Sequence, residues 1–264
     1  MNFFEFEEVA VNEQHAMTEP HSHDFYELYF LLDGEREFFV ENKMFKVADN
    51  TLVVVPPYRI HKTEGGPYKR ININISPDLL APYHNDFLMK LSKQTAVKID
   101  KKYIDIITRL LSEGAKLQLN TIKNKSDCLL SVAQTIIFLL STQDLVSISA
   151  SSTAHQPNNV SPEVLKIISY INTHYNQPIS LKDLCYKFFL SKVSLCKKFK
   201  SVMHCSIMDY VSRMRLSKAK SLLRDENKSV EDVAMECGYS SANYFGLIFK
   251  KEVGLSPLNY KKTR

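Results

Sequence analysis

Apolar positions recur along this 264-residue chain with two different periods, and the change of period divides it. Between Phe25 and Ile75 the pattern is that of strands. Residues 25–32, 36–40, 51–55 and 68–75 are rich in aromatic and β-branched side chains, with Asp33-Gly34, Asp49-Asn50 and Gly65-Gly66-Pro67 between them as turn signals. Short strands so punctuated predict a sandwich or small barrel. From Ile99 onward the period becomes helical. Residues 99–119 carry a stripe of Tyr103, Ile106, Ile107, Leu110, Leu111 and Leu117, and residues 127–140 carry Leu129, Val132, Ala133, Ile136, Ile137 and Leu140. Residues 147–161 are small and polar, a linker by composition. Pro162 then stands where an N1 proline would, opening a helix over 163–175. Its Val164, Leu165, Ile168 and Ile171 are expected to pack under the helices beyond Ser180.

Beyond Ser180 one helical design is written twice. The first copy is Ser180-Leu181-Lys182-Asp183-Leu184, a turn at Phe189-Leu190-Ser191, then Leu195-x-x-x-Phe199-Lys200. The second is Ser229-Val230-Glu231-Asp232-Val233, a turn at Gly238-Tyr239-Ser240, then Phe245-x-x-x-Phe249-Lys250. The offset is 49 before the turn and 50 after it, so the second turn holds one extra residue. Each copy reads as a helix-turn-helix. Ser180/Asp183 and Ser229/Asp232 have capping-box spacing, with aspartate in the place of the usual glutamate. Ser191, and Ser240 or Ser241, can cap the second helix of each copy. Residues 207–223 keep helical periodicity between the copies, a rod about 27 Å long. With side chains added, such a rod can hold two units roughly one DNA turn apart, about 34 Å.

Charge sharpens the division. From Ser161 onward there are 18 Lys and Arg against 9 Asp and Glu; the remainder holds 16 against 20, and the whole chain is +5. A basic C-terminal part on a mildly acidic N-terminal part is the asymmetry expected of a nucleic-acid module joined to something else. No apolar run reaches membrane-spanning length. Met1-Asn2-Phe3-Phe4-Glu5 lacks a basic n-region, and the five cysteines (Cys128, Cys185, Cys196, Cys205, Cys237) form no Cys-x-x-Cys pair. A cytoplasmic protein without a membrane partner is the expectation.

The C-terminal motifs together resemble the AraC family of bacterial transcription regulators. The residues that carry the resemblance are Arg215-Leu216-x-x-Ala219-x-x-Leu222-Leu223, Val233-Ala234-x-x-x-Gly238-Tyr239, Tyr244-Phe245-x-x-x-Phe249-Lys250 and Gly254-x-Ser256-Pro257-x-x-Tyr260, in order over roughly the last hundred residues. The resemblance implies an α+β protein of two domains: a cupin-like β-barrel with following helices over 1–145, a linker over 146–160, and an all-α double helix-turn-helix over 161–264. It also implies residues facing the DNA groove. In the first unit these are Val193, Cys196 and Lys197, flanked by Lys192 and Ser194; in the second, Ala242, Asn243, Gly246 and Leu247. Lys197 can donate to guanine, Val193 can pack on a thymine methyl and Asn243 can read adenine. Lys198, Lys200, Lys250 and Lys251 are expected on phosphates. The family often carries Ser-Arg where this chain has Gly246-Leu247, and glycine where it has Phe189.

A second constellation lies in the strand-rich part. His21-x-His23-x-x-x-Glu27 is followed by Gly34 and later by Pro56-x-Tyr58-x-x-His61, which resembles the two motifs of the cupin barrel, with Tyr58 at a position usually glycine. Independently, His21, His23, Phe25, Glu27, Tyr29 and Leu31 share parity and on one strand would face one way. His21, His23, Glu27, Tyr29 and His61 are therefore expected to line an effector pocket. Three imidazoles and a carboxylate also suit zinc, iron, nickel or manganese, although no metal cofactor is the favoured reading.

The leading reading is a sequence-specific DNA-binding regulator, an activator that responds to a small molecule in the barrel, and not an enzyme. Its expected partners are double-stranded DNA, RNA polymerase, an effector for which a sugar is the default, and a second copy joined through helices 99–119 and 127–140. The alternatives are a metal-dependent cupin enzyme fused to a DNA-binding domain, and a regulator that needs no ligand.

Overall fold

A computed structural model of the protein describes residues 3–17, 19–41, 43–149, 162–225 and 227–262. Among these residues eight antiparallel strands form one sheet: β1 (Phe4–Val11), β2 (His15–Ala16), β3 (Tyr26–Val40), β4 (Lys43–Ala48), β5 (Thr51–Val55), β6 (His61–Ile75), β7 (Ala96–Lys98) and β8 (Val146–Ser147). The order is β1-β6-β3-β5-β7-β8, with β2 on β6 and β4 on β3. The helices α1 (Pro82–Leu91), α2 (Lys101–Leu119) and α3 (Lys125–Ser141) cover one face.

Alternation along β3 explains the two buried layers. Tyr26, Leu28 and Phe30 join Ile71, Ile73 and Ile75 of β6 in a cluster under α1–α3, closed by Ile107 and Leu111 of α2 and Ile136, Ile137 and Leu140 of α3. Tyr29 and Leu31 turn the other way and pack with Phe38, Phe45, Val47, Val53, Val55 and Tyr68. Both faces are covered, so residues 26–31 are buried without a break. Ile106 leaves the stripe expected of α2 and is exposed, as is Phe138 on α3.

Two of the three turn signals mark something else. Asp33-Gly34 does not end a strand: the predicted segments 25–32 and 36–40 are one 15-residue strand, with register shifts at Leu31/Asp33 and Gly34/Arg36. Gly34 sits at φ +97°, and a Cβ there would lie 2.3 Å from the Pro67 carbonyl oxygen. The glycine serves a bulge and a close crossing of β6, not a hairpin. Gly65-Gly66-Pro67 likewise lies inside β6. Asp49-Asn50 is a turn as expected, with Asn50 at φ +59°. Strands β1, β2, β4, β7 and β8 carried no signal that was read from the sequence. Val146 and Ser147, in the stretch expected to be linker, pair with β7, and residues 150–161 of that stretch lie outside the described residues.

The C-terminal part is helical: α4 (Pro162–His174), α5 (Leu181–Phe188), α6 (Lys192–Met203), α7 (Ile207–Leu222), α8 (Val230–Glu236), α9 (Ala242–Val253) and α10 (Pro257–Lys262). Val164, Ile168 and Ile171 of α4 pack under α6 and α7 as expected, while Leu165 is only partly buried and Ile167 joins them. This cluster also takes in Phe39, Met44 and Ile60, so the sheet and the first helical unit share one hydrophobic core.

Candidate nucleic-acid interface and ligand cluster

Each helix-turn-helix begins with local chemistry visible in the sequence. Ser180 Oγ accepts from the Asp183 amide, and Ser229 Oγ from that of Asp232. Only the second forms the reciprocal capping box; in the first, the Asp183 carboxylate accepts from Ser180 Oγ instead. One more capping box, Ser206/Asp209, starts α7. Ser191 caps α6 and Ser241, not Ser240, caps α9, which identifies Ser240 as the residue extra to the second turn. Phe189 and Gly238 occupy equivalent positions at φ +53° and +79°. Each is followed by a matching backbone bond, Leu190 N–H to the Cys185 carbonyl and Tyr239 N–H to that of Ala234.

Leu195 and Phe199 anchor α6, and Phe245 and Phe249 anchor α9, all fully buried. The opposite faces are open. Lys192, Val193, Lys197 and Lys200 of α6 are exposed, with Ser194 and Cys196 half-buried. On α9, Asn243, Leu247 and Lys250 are exposed, with Ala242 and Gly246 half-buried. Lys198 is drawn elsewhere, with Nζ 3.6 Å from the Glu163 carboxylate. Phe189 and Tyr186 are 93% and 85% exposed beside α6.

In the sheet, four of the five expected ligand residues converge. Ligating atoms of His21, His23, Glu27 and His61 all lie within 4.8 Å of one another. The histidines do not reach the cluster by strand parity, since β3 begins only at Tyr26. His21 arrives through an isolated bridge to His61, with N–H···O bonds of 3.0 Å in both directions. His23 is held by ring stacking on Phe25 at 3.9 Å. Tyr29 follows Glu27 on the same face of β3, but its buried hydroxyl has no hydrogen-bond partner among the described residues.

The carbonyl partners fix the imidazole tautomers. Nδ1 of His23 lies 2.8 Å from the Phe25 carbonyl, and Nδ1 of His61 lies 2.9 Å from that of Arg59. A carbonyl only accepts, so each Nδ1 carries a proton and donates. Both Nε2 atoms then face Glu27 Oε2, at 3.2 and 3.0 Å. In neutral rings these would be lone pairs against a carboxylate, so the contacts require a positive centre, either a second proton on the ring or a cation. Asn72, which the sequence reading missed, donates Nδ2–H to Glu27 Oε1 at 2.6 Å. The alternation Arg70-Ile71-Asn72-Ile73-Asn74-Ile75 was its available signal.

Burial, then the neighbouring His61 imidazole, depresses His21 to about 4. Burial also lowers His23 against the opposing pull of Glu27. For Glu27 burial works against ionisation, but hydrogen bonds from His23 and His61 outweigh it and hold the carboxyl well below its ordinary range. The donor set, three imidazole nitrogens and one carboxylate oxygen, is of a kind that divalent transition metals take, but atoms up to 4.8 Å apart would have to draw closer for all four to lie about 2 Å from one centre. Tyr58, at φ +64°, occupies a left-handed position where glycine would be unstrained.

Comparison with known proteins matches residues 9–120 to the AraC-like ligand binding domain and residues 184–263 to a helix-turn-helix domain. The HTH-type transcriptional activator RhaR of Mannheimia succiniciproducens is 27% identical over 271 residues, covering 98% of this chain and 94% of that protein. RhaS of Escherichia fergusonii, also named a transcriptional activator, is 24% identical over 100% of this chain and 96% of its own length. Among solved structures, the C-terminal domain of AraT, a response regulator from Geobacillus stearothermophilus, is 30% identical over 40% of this chain and 89% of that one, with a TM-score of 0.39.

Proposed function

The chain belongs to the AraC family and is a DNA-binding transcription regulator, and on that premise we propose that it is an activator governed by a small polar effector held in the sheet domain. The observation that carries the DNA reading is the pair of helices α6 and α9, each anchored by a buried aliphatic or aromatic pair while its far face stays open. Lys192, Val193, Ser194, Cys196, Lys197 and Lys200 are proposed as the contacts of the first unit; Ala242, Asn243, Gly246, Leu247 and Lys250 are those of the second. Val193 and Leu247, 78% and 72% exposed, are apolar enough to favour thymine methyls over water. Lys197 reads a base; Lys200 and Lys250 neutralise phosphates.

Selection from random duplexes tests this directly. One sequence should be enriched, with an affinity that falls as salt rises. Lys197→Ala should lose about 1–3 kcal/mol at a single operator position. An equal loss on every sequence would reduce Lys197 to a phosphate contact.

His21, His23, Glu27, Tyr29 and His61 are the proposed effector contacts, and a hydroxyl-rich compound such as a sugar suits their mixture of donors and acceptors. Exposed Ile106 on α2 and Phe138 on α3 support a dimer through these helices, and RNA polymerase is the proposed downstream partner. The relatives are named transcriptional activators, which favours regulation over catalysis. No described helix is long and apolar enough to cross a membrane.

One observation supports a second reading of the same cluster. Two Nε2 lone pairs and a carboxylate around one point are satisfied by a resident divalent metal that holds or orients the effector. Metal analysis of purified protein should then find about one equivalent, lost in His23→Ala. Metal-free wild-type protein would leave the cluster to the effector alone.

A further inference from the structure

The residues of the ligand cluster alternate along the chain with residues that grip the helical half. Beside His21, the Pro20 carbonyl accepts from Arg213 Nη1 at 2.6 Å, and Glu19 pairs with the same guanidinium. Beside His23, Asp24 Oδ2 accepts from Arg224 Nη2 at 3.1 Å and from the Tyr260 hydroxyl at 3.4 Å. Beside His61, Lys62 Nζ donates to the Val202 carbonyl at 2.5 Å and to Glu64 at 2.7 Å. Backbone geometry makes this alternation meaningful. Lys62 follows His61 on β6, so the two side chains leave opposite faces of the strand, one towards Glu27 and the other towards α6.

The two grips end on different units. Val202 lies in the last turn of α6, where carbonyls lack helical partners and a cation is favoured by the helix dipole. Lys62 is 1% exposed, and among the described residues its ammonium is held by that carbonyl and Glu64. Asp24 instead reaches Arg224, just beyond α7, and Tyr260 of α10, whose ring packs on Phe249 of α9 at 5.4 Å. Tyr58, between the cluster's two halves in sequence, adds its hydroxyl to Arg224 at 3.2 Å and its carbonyl to Ser217.

We propose that Lys62 and Asp24 are positioning residues that report the state of the His21/His23/Glu27/His61 cluster to the first and second helix-turn-helix units respectively. This rests on the proposal that the cluster is the regulator's ligand site. Capture of a ligand draws the imidazoles together and shifts the backbone at His23 and His61. Their neighbours then change grip on Arg224 and on the end of α6. Because each unit has its own contact, the cluster adjusts the two readers separately.

The test alters the cluster without needing its ligand. Glu27→Gln removes the charge on which the imidazoles converge, and His21→Gln is a milder second probe should the buried substitution prevent folding. Each is made in the wild-type full chain and in the Asp24→Ala/Lys62→Met background. Hydrogen exchange is followed at the last turn of α6 and at α10, and affinity is measured for a selected duplex. In the wild-type background the cluster substitution should change exchange at both places and shift duplex affinity at least about fivefold. In the double-variant background that shift should shrink to within about twofold, the non-additivity expected of coupled sites. Unchanged exchange at α6 and α10 overturns the proposal, as does an equal affinity shift in both backgrounds. Duplex selection by the wild-type protein reports separately on the DNA reading, and the exchange measurement stands without it.

Discussion

In the first helix-turn-helix unit, Leu195 and Phe199 share a buried cluster with Phe39, Met44 and Ile60 of the sheet domain, whereas Phe245 and Phe249 of the second are enclosed by residues of its own α7–α10 region. The sheet touches the second unit through the polar contacts of Asp24 and Tyr58 on Arg224 and Tyr260. Two copies of one design are thus completed in different ways. Continuous close packing transmits displacement, because a packed core accommodates little change without repacking. Polar contacts at a surface can be exchanged for water at modest loss. The first unit is therefore the one more tightly bound to the condition of the sheet, and the second the more autonomous folding element.

Core truncation gives the largest separation between them. Phe199→Ala and Phe249→Ala should each lose about 3–5 kcal/mol of stability by denaturant unfolding. Only the first should raise amide exchange at Phe39, Met44 and Ile60. Equal responses in the sheet would remove the distinction.

The turns provide the next test. A Cβ on Gly238 would lie 2.7 Å from the Asn176 carbonyl oxygen at φ +79°, so Gly238→Ala should lose about 1–3 kcal/mol, at the place where the second unit's turn meets the α4–α5 connection. Acidification should act from the other side. His21 is depressed from 6.5 to about 4, so its folded form prefers to be neutral. That contribution is present above the unfolded value and is lost as pH falls from about 6.5 towards 4. After allowance for solvent it amounts to roughly 1 kcal/mol, felt in the sheet and first unit, and His21→Gln should flatten the profile. The smallest change is Phe189→Gly. The aromatic ring is 93% exposed on a left-handed residue, so glycine should gain up to about 1 kcal/mol in the first unit.

How much was legible can be judged residue by residue. The duplicated units were, down to the anchors and the serine caps, because caps, turns and helical stripes depend on residues within about four positions of one another. The inward face of Glu27, Tyr29 and Leu31 was also legible from alternation alone. The convergence of His21 and His23 was expected, but for the wrong reason: a bridge to His61 and a stacked Phe25 place them, not a shared strand. The bulge at Gly34 read as a turn, since glycine next to aspartate signals both and only the partner strand distinguishes them.

Short-range periodicity and local hydrogen bonding were enough to specify the two-part organisation, the twin helix-turn-helix units, their exposed faces and the supply of imidazole and carboxylate side chains. Tertiary structure decided what those parts do together. Glu27 meets His61 across 34 residues and Asn72 across 45, while Lys62 reaches Val202 across 140 and Asp24 reaches Arg224 across 200. Such contacts are set by strand register and by the docking of one core on another, which no local pattern encodes, because each partner's own neighbourhood is satisfied whether or not the other arrives.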